Sequence, residues 1–294
     1  MRAGSGAVKS LIIVNPAAGR GRALRVWRRL EDRCPFAYEI HFTARPGEAT
    51  EVARQAAGES FQRVISIGGD GTIHEIANGL AGTGVALGII PGGNGNDFAR
   101  TLGLPRNPEE ALRCVAGGQV KAVDLGNVNG RFFVNVAGLG IDCEVLKEVS
   151  RRKGSFAGSL VYLYAVFTTL TSYTNADVLL DIDGTTRSRR VLLLAVANGQ
   201  YYGGGMRVAP HARVDDGAFD ICVAGDLTRP EVVVNVPRMY LGTHLSHPKV
   251  EYFRGARVRV ESERELMIQC DGELVGNAPA EFTVSAGSLN VIVP

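Results

Sequence analysis

The chain has 294 residues and lacks the short motifs that identify the commonest nucleotide, metal and hydrolase sites. Only five of its 32 basic residues are lysines, and none stands in a GxxxxGK[ST] frame, which excludes a P-loop. The cysteines include no Cys-x-x-Cys pair and the histidines form no metal-spaced cluster, so we expect reduced, mostly buried thiols in a cytosolic protein. A Gly-x-Ser-x-Gly elbow, the mark of many hydrolases, is also missing.

Long apolar runs are scarce as well. The apolar run at residues 11–14 is far too short for a signal peptide. The uncharged segment at 154–176 has the length of a membrane span, but it is rich in Ser and Thr. Its apolar residues follow helical spacing, which favours a helix packed in a soluble domain over a span: Phe156, Leu160, Leu163, Phe167 and Leu170. The net charge of +2 gives no reason to expect a nucleic-acid partner.

Glycine is what the sequence has in excess. The chain contains 37 glycines, about 13% of its residues, against a typical share of roughly 7%. They follow no collagen period, and a content of 45% apolar and 21% charged residues argues against disorder. Because glycine destabilises the interiors of helices and strands, we expect many positions where the backbone turns tightly or approaches something closely.

The first 125 residues alternate short apolar runs with helical patterns. Strands are predicted at 11–14, 38–42, 63–67 and 86–90, with helices near 23–30, 48–57 and 73–80. This order predicts a doubly wound α/β domain with a parallel sheet over residues 1–125. Ligands of such sheets bind at the carboxyl ends of the strands.

The rest of the chain reads mainly as strands. After residue 173 the main helical pattern is 230–241, and we predict an antiparallel β-sandwich over residues 126–285. The last strand, at about 286–294, could return to the first domain. The predicted strands lie at 131–137, 177–183, 189–197, 219–224, 250–260, 265–270, 281–285 and 288–293.

Three glycine-containing loops follow predicted strands at one edge of the first sheet. In the loop from Gly68 to Thr72, two successive glycines and an Asp-Gly pair exceed what a helix cap requires. Backbone N–H groups at the start of a helix bind anions, so this loop predicts a phosphate site. Thr72 is predicted as the N-cap, with Glu75 completing a capping box.

The other two loops strengthen that prediction by their position. Residues 91–97 (PGGNGND) follow the next strand, and two such loops at neighbouring strand ends favour a shared polyphosphate site. Residues 15–21 (NPAAGRG) follow the first strand. Their Gly19-x-Gly21 pair lacks the third glycine of the dinucleotide fingerprint, so as a Rossmann signal it is weak.

Acidic pairs in the second half are the candidates for catalysis and metal binding. Three Asp-Gly pairs there are predicted first as hairpin turns. Asp271-Gly272 differs because Glu273 follows: if the stretch is extended, Asp271 and Glu273 share a face and could serve as a general base and its electrostatic partner. Asp215-Asp216 offers hard oxygen ligands suited to Mg²⁺, with a surface turn as the alternative.

Together these blocks resemble the bacterial soluble diacylglycerol kinase family, part of the lipid kinase group that includes sphingosine and ceramide kinases. GGDGT alone is shared with NAD kinases, whereas the full set in this order is far more specific. The resemblance covers nearly the whole chain and rests on six blocks: IIVNPAAGRG (12–21), GGDGTIHEIANGL (68–80), PGGNGNDFARTLGLP (91–105), NVAGLGIDCEV (135–145), GGGMRVAPHARVDDGAFD (203–220) and CDGE (270–273).

The resemblance implies an NAD kinase/diacylglycerol kinase-like fold, ATP as co-substrate and Mg²⁺. Glu273 matches the family's catalytic base, with Asp271 as its neighbour. Asp70, Asp97 and Asp216 look like the carboxylates that organise Mg²⁺ and its waters, and the metal would be held by Asp216 with the backbone carbonyls of Arg213 and Ala218. The nucleotide would be bound by Asn15, Pro16, Ala17, Ala18, Gly19, Thr43, Gly68, Gly69, Asp70, Gly71, Thr72, Glu75, Gly93, Asn94, Asn96 and Asp97.

One residue departs from the family pattern, because Asn94 stands where the family usually has Thr. The leading hypothesis is a cytoplasmic kinase that transfers the γ-phosphate of ATP to a lipid hydroxyl, with transient peripheral contact at the inner face of the membrane. Diacylglycerol, giving phosphatidic acid, is the first acceptor; a sphingoid base, phosphatidylglycerol and a polyprenol-like alcohol stay open, as does the oligomeric state. The alternatives are an NAD kinase, motivated by GGDGT, and a non-catalytic nucleotide- or lipid-sensing protein.

Overall fold

The computed structural model describes residues 8–151 and 159–294, which form two compact units. The first unit contains the described residues up to Leu125 together with Ala286–Pro294. The second contains the described part of Gly126–Ser285. The predicted fold class, an α/β parallel-sheet region followed by an antiparallel β-sandwich, is confirmed.

The first unit is built on a parallel sheet. Its strands run in the order β2-β1-β3-β4, and the end of β16 pairs in parallel with β4 through Asn290 and Val291. The strands are β1 (Ser10–Val14), β2 (Tyr38–Phe42), β3 (Arg63–Gly68), β4 (Ala86–Pro91), the start of β5 (Gln119–Val128) and the end of β16 (Ala280–Val293). The helices are α1 (Arg22–Leu30), α2 (Glu48–Gly58), α3 (Asp70–Leu80), α4 (Asp97–Thr101) and α5 (Pro108–Gly117).

Burial explains why these segments form central strands. Every residue of β1, β3 and β4 is buried, as expected for parallel strands that are covered on both faces. Ile12 and Ile65 pack with Trp27 and Leu30 of α1 in one apolar cluster. The four strands therefore end side by side, and the loops that follow them lie at one edge of the sheet.

The second unit contains two antiparallel groups of strands. One runs β12-β11-β10-β7-β14-β15 and the other β16-β13-β8-β9, and a common apolar core includes Phe133, Phe219 and Phe282. The strands are β6 (Arg131–Phe133), β7 (Val136–Gly140), β8 (Ala176–Ile182), β9 (Thr185–Val191), β10 (Leu193–Ala197), β11 (Phe219–Ala224), β12 (Val250–Gly255), β13 (Arg257–Glu261), β14 (Met267–Cys270) and β15 (Glu273–Asn277). The helices are α6 (Ile141–Arg151), α7 (Ser159–Ser172) and α8 (Arg229–Leu241).

Three predicted strands are each two strands in the structure. The runs at 131–137, 189–197 and 250–260 break between β6 and β7, between β9 and β10, and between β12 and β13. At each break the chain passes from one sheet to the other, so the hydrogen-bonding partners change although the apolar pattern continues. Conversely, the runs at 281–285 and 288–293 form the single strand β16.

The uncharged segment tested as a membrane span contains α7. Among the described residues, no helix is both long and apolar enough to cross a bilayer. Leu170 is buried, as its helical spacing predicts, whereas Phe167 is 45% exposed. Phe156 lies outside the described residues, as do the side chains of Leu160 and Leu163.

Candidate functional site

The loops at the sheet edge of the first unit are joined by backbone hydrogen bonds. The Asn15 N–H donates to the Ile67 carbonyl at 3.1 Å, and the Thr43 N–H donates to the Val14 carbonyl at 2.9 Å. The Gly92 N–H donates to the Gly68 carbonyl at 2.7 Å. These bonds continue the parallel ladder beyond the strands, so the predicted loops lie next to one another.

Several loop glycines are required by contacts between the loops themselves. A Cβ on Gly19 would lie 2.4 Å from the Gly92 carbonyl oxygen, and a Cβ on Gly93 would lie 2.4 Å from the Gly69 Cα. A side chain at either position would therefore force the backbones apart. Part of the glycine excess thus permits backbone to approach backbone, which differs from the expected approach to phosphate.

Gly71 is the exception among these glycines. It lies in the first turn of α3, has no positive φ, and a Cβ there would meet nothing within 4 Å. Glycine in a helix is less stable than alanine by roughly 0.5–1 kcal/mol, so the protein's own packing gives no reason for it. The open space at Gly71 faces the start of a helix, where N–H groups bind anions.

Asp70 holds two of the loops together. Its Oδ2 accepts the Asn96 N–H at 2.7 Å, and its Oδ1 accepts the Asp97 N–H at 2.6 Å and the Phe98 N–H at 3.3 Å. These donors belong to the start of α4, so a side chain from the first turn of α3 caps the following helix. The carboxylate fixes the loop at 92–96 against the loop at 68–69.

The predicted capping box of α3 is wrong. The helix begins at Asp70 with Gly69 as its N-cap, because the Thr72 hydroxyl is engaged elsewhere and accepts the Asn15 side-chain amide at 3.1 Å. Glu75 accepts the Ala49 N–H of α2 at 3.1 Å and so supports the neighbouring helix. Thr72 thus ties α3 to the loop that begins at Asn15, and Glu75 ties it to α2.

The remaining loop residues differ in exposure. Asn96 has a left-handed backbone, with φ at +52°, and its side-chain amide bonds both the N–H and the carbonyl of Gly93 at 3.0 Å. The Asp97 side chain is buried, 3.8 Å from the Arg100 guanidinium. Asn94 and Ala17 are exposed, whereas Pro16, Ala18 and Thr43 are half-buried.

In the second unit, Asp271 and Gly272 form the turn between β14 and β15. Their φ values of +46° and +89° fit a two-residue type I′ hairpin. The hairpin turn that the sequence predicts first for this pair is therefore confirmed, and the extended alternative, in which Asp271 and Glu273 would share a face, does not occur. The Asp271 carboxylate accepts the N–H groups of Val134, Asn135 and Val136 at 2.7, 2.9 and 3.1 Å, which pins the turn to the segment between β6 and β7.

Glu273 is the first residue of β15 and is accessible. Its side chain is 43% exposed, and its Oε2 lies 3.5 Å from Arg131 Nη2. Glu273 and Asp271 thus stand on opposite sides of one turn residue but differ in availability. Glu273 can meet a substrate, whereas Asp271 holds the backbone that supports it.

The predicted metal residues lie in the turn before β11. The Asp216 carboxylate forms an ion pair with Arg254, and Arg213 Nε lies 3.4 Å from Asp215 Oδ1. Within the described ranges, no three His, Cys, Asp or Glu side chains are grouped as a metal site. One carboxylate and two backbone carbonyls nevertheless fit Mg²⁺, which binds few protein oxygens and keeps waters and phosphate oxygens as its other ligands.

An apolar cavity of about 90 Å³ lies inside the second unit. Helices α6, α7 and α8 and strand β10 contribute its walls, among them Ile141, Val166, Leu193, Val232 and Met239. No sequence motif marks this cavity, because its residues come from separate elements. The one signal is Asp142, a charged residue within an otherwise apolar stretch that begins at β7.

Three buried polar side chains line this cavity. Burial raises the pKa of Asp142 to about 6, although the carboxylate accepts the Cys143 N–H and the Gln269 amide. Burial also lowers the pKa of His244, whose Nε2 lies 3.1 Å from the Val208 carbonyl and must donate to it. The His244 Nδ1 and the Asn235 Oδ1 have no partner in the part of the chain that the structure describes, so both are buried acceptors.

Comparison with known proteins places both units in described families. The family described as "Diacylglycerol kinase catalytic domain" matches residues 9–128, and "YegS C-terminal NAD kinase beta sandwich-like domain" matches residues 135–293. The chain is 32% identical over 295 residues to a diacylglycerol kinase of Bacillus subtilis (strain 168), covering 97% of this chain and 96% of the relative. It is 30% identical over 291 residues to a diacylglycerol kinase of Staphylococcus carnosus (strain TM300), covering 97% and 95%.

A solved structure is similar over the same length. The crystal structure of a diacylglycerol kinase from Bacillus anthracis str. Sterne aligns with a TM-score of 0.74 at 26% identity. The alignment covers 99% of this chain and 98% of that one. The likeness therefore extends over both units of the chain.

Proposed function

This chain belongs to the diacylglycerol kinase family, and from that premise we propose that it transfers the γ-phosphate of ATP to the free hydroxyl of diacylglycerol, giving phosphatidic acid. That it is a lipid kinase follows from its relatives over their full length. Within the structure, the apolar cavity of the second unit is the observation that supports a lipid acceptor.

The cavity favours a lipid acceptor over NAD⁺, the acceptor of an NAD kinase. Its walls are mostly Ile, Leu, Val and Met side chains. Moving an acyl chain from water into such a cavity is favourable, whereas a polar nucleotide gains little binding free energy there. Its volume of about 90 Å³ suits part of one chain, since sites that enclose a whole drug-sized ligand measure roughly 300–1,000 Å³. We therefore assign the cavity to one acyl chain of the acceptor.

ATP binding is assigned to the loops of the first unit. The open space at Gly71 and the N–H groups at the start of α3 suit the phosphates. The exposed Asn94 supplies an amide beside them, in place of the hydroxyl that Thr would give. Asp70 and Asn96 act as positioning residues, because their polar atoms hold the loops in place.

Glu273 is assigned as the general base. It would accept the proton of the lipid hydroxyl as that oxygen bonds to the γ-phosphorus and the bond from this phosphorus to the β–γ bridging oxygen breaks, releasing ADP. Its exposure and its neighbour Arg131, 3.5 Å away, support the assignment. Asp271 then acts through Glu273, by fixing the turn from which β15 starts.

Mg²⁺ would be held by Asp216 with the carbonyl oxygens of Arg213 and Ala218. When bound, the ion neutralises phosphate charge during transfer. The ion pair with the Arg254 guanidinium holds the Asp216 side chain in place. An Asp216→Ala variant should need a higher Mg²⁺ concentration for half-maximal activity, with Asp215→Asn as the matched neighbour; an unchanged Mg²⁺ dependence would remove Asp216 from the site.

The decisive assay offers the protein labelled ATP and one acceptor at a time. Dioleoylglycerol should give labelled phosphatidic acid at a higher kcat/KM than sphingosine, phosphatidylglycerol or a polyprenol. Label transfer to NAD⁺ in preference to all lipids would replace the proposal with an NAD kinase. Nucleotide binding without transfer to any acceptor would favour a sensing protein.

A further inference from the structure

Helix α8 is apolar on two opposite sides. Val232, Val236 and Met239 line the cavity of the second unit. The outward positions are Arg229, Pro230, Val233, Val234, Pro237, Arg238 and Leu241, all of them exposed. The single acidic residue of the helix, Glu231, is engaged in the capping box with Thr228 and in an ion pair with Lys249 at 2.8 Å.

The outward apolar residues form a stripe along the helix. Pro230, Val233, Val234, Pro237 and Leu241 follow the i, i+3, i+4, i+7, i+11 spacing of one helix face, so they lie on one side. Val233 is 43% exposed, Val234 58% and Leu241 73%. A surface helix of a globular protein normally presents charged or polar residues to water, and an exposed apolar patch marks a binding surface.

We propose that this stripe inserts into the lipid bilayer that contains the acceptor. The inference rests on the proposed function, since a kinase of diacylglycerol must reach a substrate that stays in the membrane. The stripe would thus contact the acyl region just below the lipid headgroups, where the apolar faces of interfacial helices bind. The other side of the same helix is the wall of the cavity assigned to an acyl chain.

The charges beside the stripe fit an anionic membrane surface. Arg238 is exposed and has no ion-pair partner among residues 8–151 and 159–294. Arg229, at the start of the helix, donates to the Thr171 carbonyl at the end of α7 and is also exposed. Basic side chains next to an apolar face are attracted to anionic headgroups, whereas an acidic side chain there would be repelled.

A second copy of this chain fits the surface less well. In a two-fold interface the same patch meets itself. If two α8 stripes packed together in that way, the arginines that flank one stripe would approach those that flank the other. No acidic residue of α8 is available to pair with them, since Glu231 is engaged with Thr228 and Lys249.

The stripe and the cavity lie on two sides of one helix, which shortens the path of an acyl chain between bilayer and cavity. An α-helix is roughly 10–12 Å across with its side chains, so one helix separates the proposed bilayer contact from the cavity. Each methylene of an acyl chain that is exposed to water adds to the cost of extracting the lipid. A chain that moves along α8 from the bilayer into the cavity would expose few methylenes on its way.

The test is flotation of the protein with vesicles, without ATP or diacylglycerol. Vesicles of phosphatidylcholine with phosphatidylglycerol should carry the wild type. Val234→Asp and Leu241→Asp should each lower the partition coefficient at least tenfold, and Arg238→Gln should remove most of the dependence on phosphatidylglycerol. Leu179→Asp, which places the same charge at an exposed leucine of β8, is the matched control and should leave partition unchanged.

A gain-of-binding variant guards against misfolded proteins. Val234→Trp should raise partition several-fold, because Trp is favoured at the membrane interface, and a damaged fold would not do this. Equal flotation of the wild type, Val234→Asp and Leu241→Asp would overturn the proposal. So would a change from dimer to monomer in sedimentation when these aspartates are introduced, since the stripe would then join two copies.

Kinetics separate this inference from the proposed function. With diacylglycerol in vesicles, Val234→Asp should raise the apparent KM at least tenfold, whereas kcat with water-dispersed dioctanoylglycerol should stay within twofold of the wild type. Normal flotation with no lipid phosphorylation would count against the proposed function alone. Full activity on vesicles without binding through α8 would count against the inference alone.

Discussion

Asp70 in the first unit and Asp271 in the second perform the same local task in different surroundings. Each precedes a glycine, and each accepts three successive backbone N–H groups, at 96–98 and at 134–136. Asp70 does so from the regular first turn of a helix, whereas Asp271 sits in a left-handed turn with φ at +46°. The difference lies in what each one holds in place.

Asp70 fixes two loops of the proposed nucleotide site against each other, while Asp271 fixes the turn from which the proposed base emerges. An aspartate in a glycine-rich motif can therefore order the backbone around it, because one carboxylate accepts several N–H groups. Glu273, two residues after Asp271, has a side chain that is 43% exposed and lies 3.5 Å from Arg131 Nη2. In the proposed mechanism Glu273 accepts the proton, and the two aspartates order the backbone of the site.

The largest expected effect would test that division directly. Glu273→Gln should lower kcat by about 10²–10⁴-fold, because the amide cannot accept the proton, and should leave the KM for ATP near that of the wild type. Steady-state kinetics with dioleoylglycerol measure both parameters. A kcat within tenfold of the wild type would take the base assignment away from Glu273.

The next largest effect is the loss of stability on replacing either Asp70 or Asp271. Asp70→Ala and Asp271→Ala should each lower the free energy of unfolding by about 3 kcal/mol, since each leaves three N–H groups without their charged acceptor. The kinetic defects should differ: Asp70→Ala should raise the KM for ATP, and Asp271→Ala should lower kcat. Urea denaturation gives the stability, and identical kinetic defects would show that the two carboxylates do not have separate tasks.

Asp142 is a third carboxylate to set beside Asp70 and Asp271. It is buried, and it accepts the Cys143 N–H and the Gln269 amide where each of the others accepts three backbone N–H groups. Its pKa of about 6 in the folded chain exceeds the ordinary 3.8, so between pH 4 and 6 the folded chain keeps a proton that the unfolded chain has lost. The free energy of unfolding should therefore fall as the pH rises through this window, by roughly 2–3 kcal/mol from this group. Asp142→Asn should flatten that slope in denaturation curves at pH 4, 5, 6 and 7; an unchanged slope would assign it to other groups.

The smallest effect concerns the glycine that no packing explains. Gly71→Ala should leave the apo protein as stable as the wild type or more stable, by up to about 1 kcal/mol, because alanine favours helix. It should also raise the KM for ATP if phosphate occupies the open space beside it. Gly58→Ala, at the end of α2 with nothing within 4 Å, is the matched control and should leave ATP binding unchanged.

The strands of the first unit were predictable because most are short apolar runs, and β2 alternates apolar with polar residues. The predicted 38–42 agrees with β2, and the predicted 63–67 and 86–90 each end one residue before β3 and β4. The breaks at β6–β7, β9–β10 and β12–β13 were not predictable, since apolar patterning does not show which sheet supplies the hydrogen bonds. Helix α6 was missed, because it begins directly after β7 with no intervening turn to mark its start.

The site was predictable where a local motif carries it. The loops around Gly68, Gly92 and Asn15 lie side by side, because parallel strands end at one edge of the sheet. The task of Asp70 was not visible in the sequence, since its donors lie 26 to 28 residues further along the chain. The cavity was invisible for the same reason, as residues from 141 to 250 meet there.

Strand β16 has a consequence for the order in which this protein is made. Its last residues close the edge of β4 through Asn290 and Val291, and Gly287 and Ser288 bond Asp124 and Gly82 at 2.8 Å. Gly287 lies 163 residues after its partner Asp124, so the second unit is synthesised before the segment that completes the parallel sheet. The first unit to emerge thus keeps β4 as an open edge until the last residues of β16 have been synthesised.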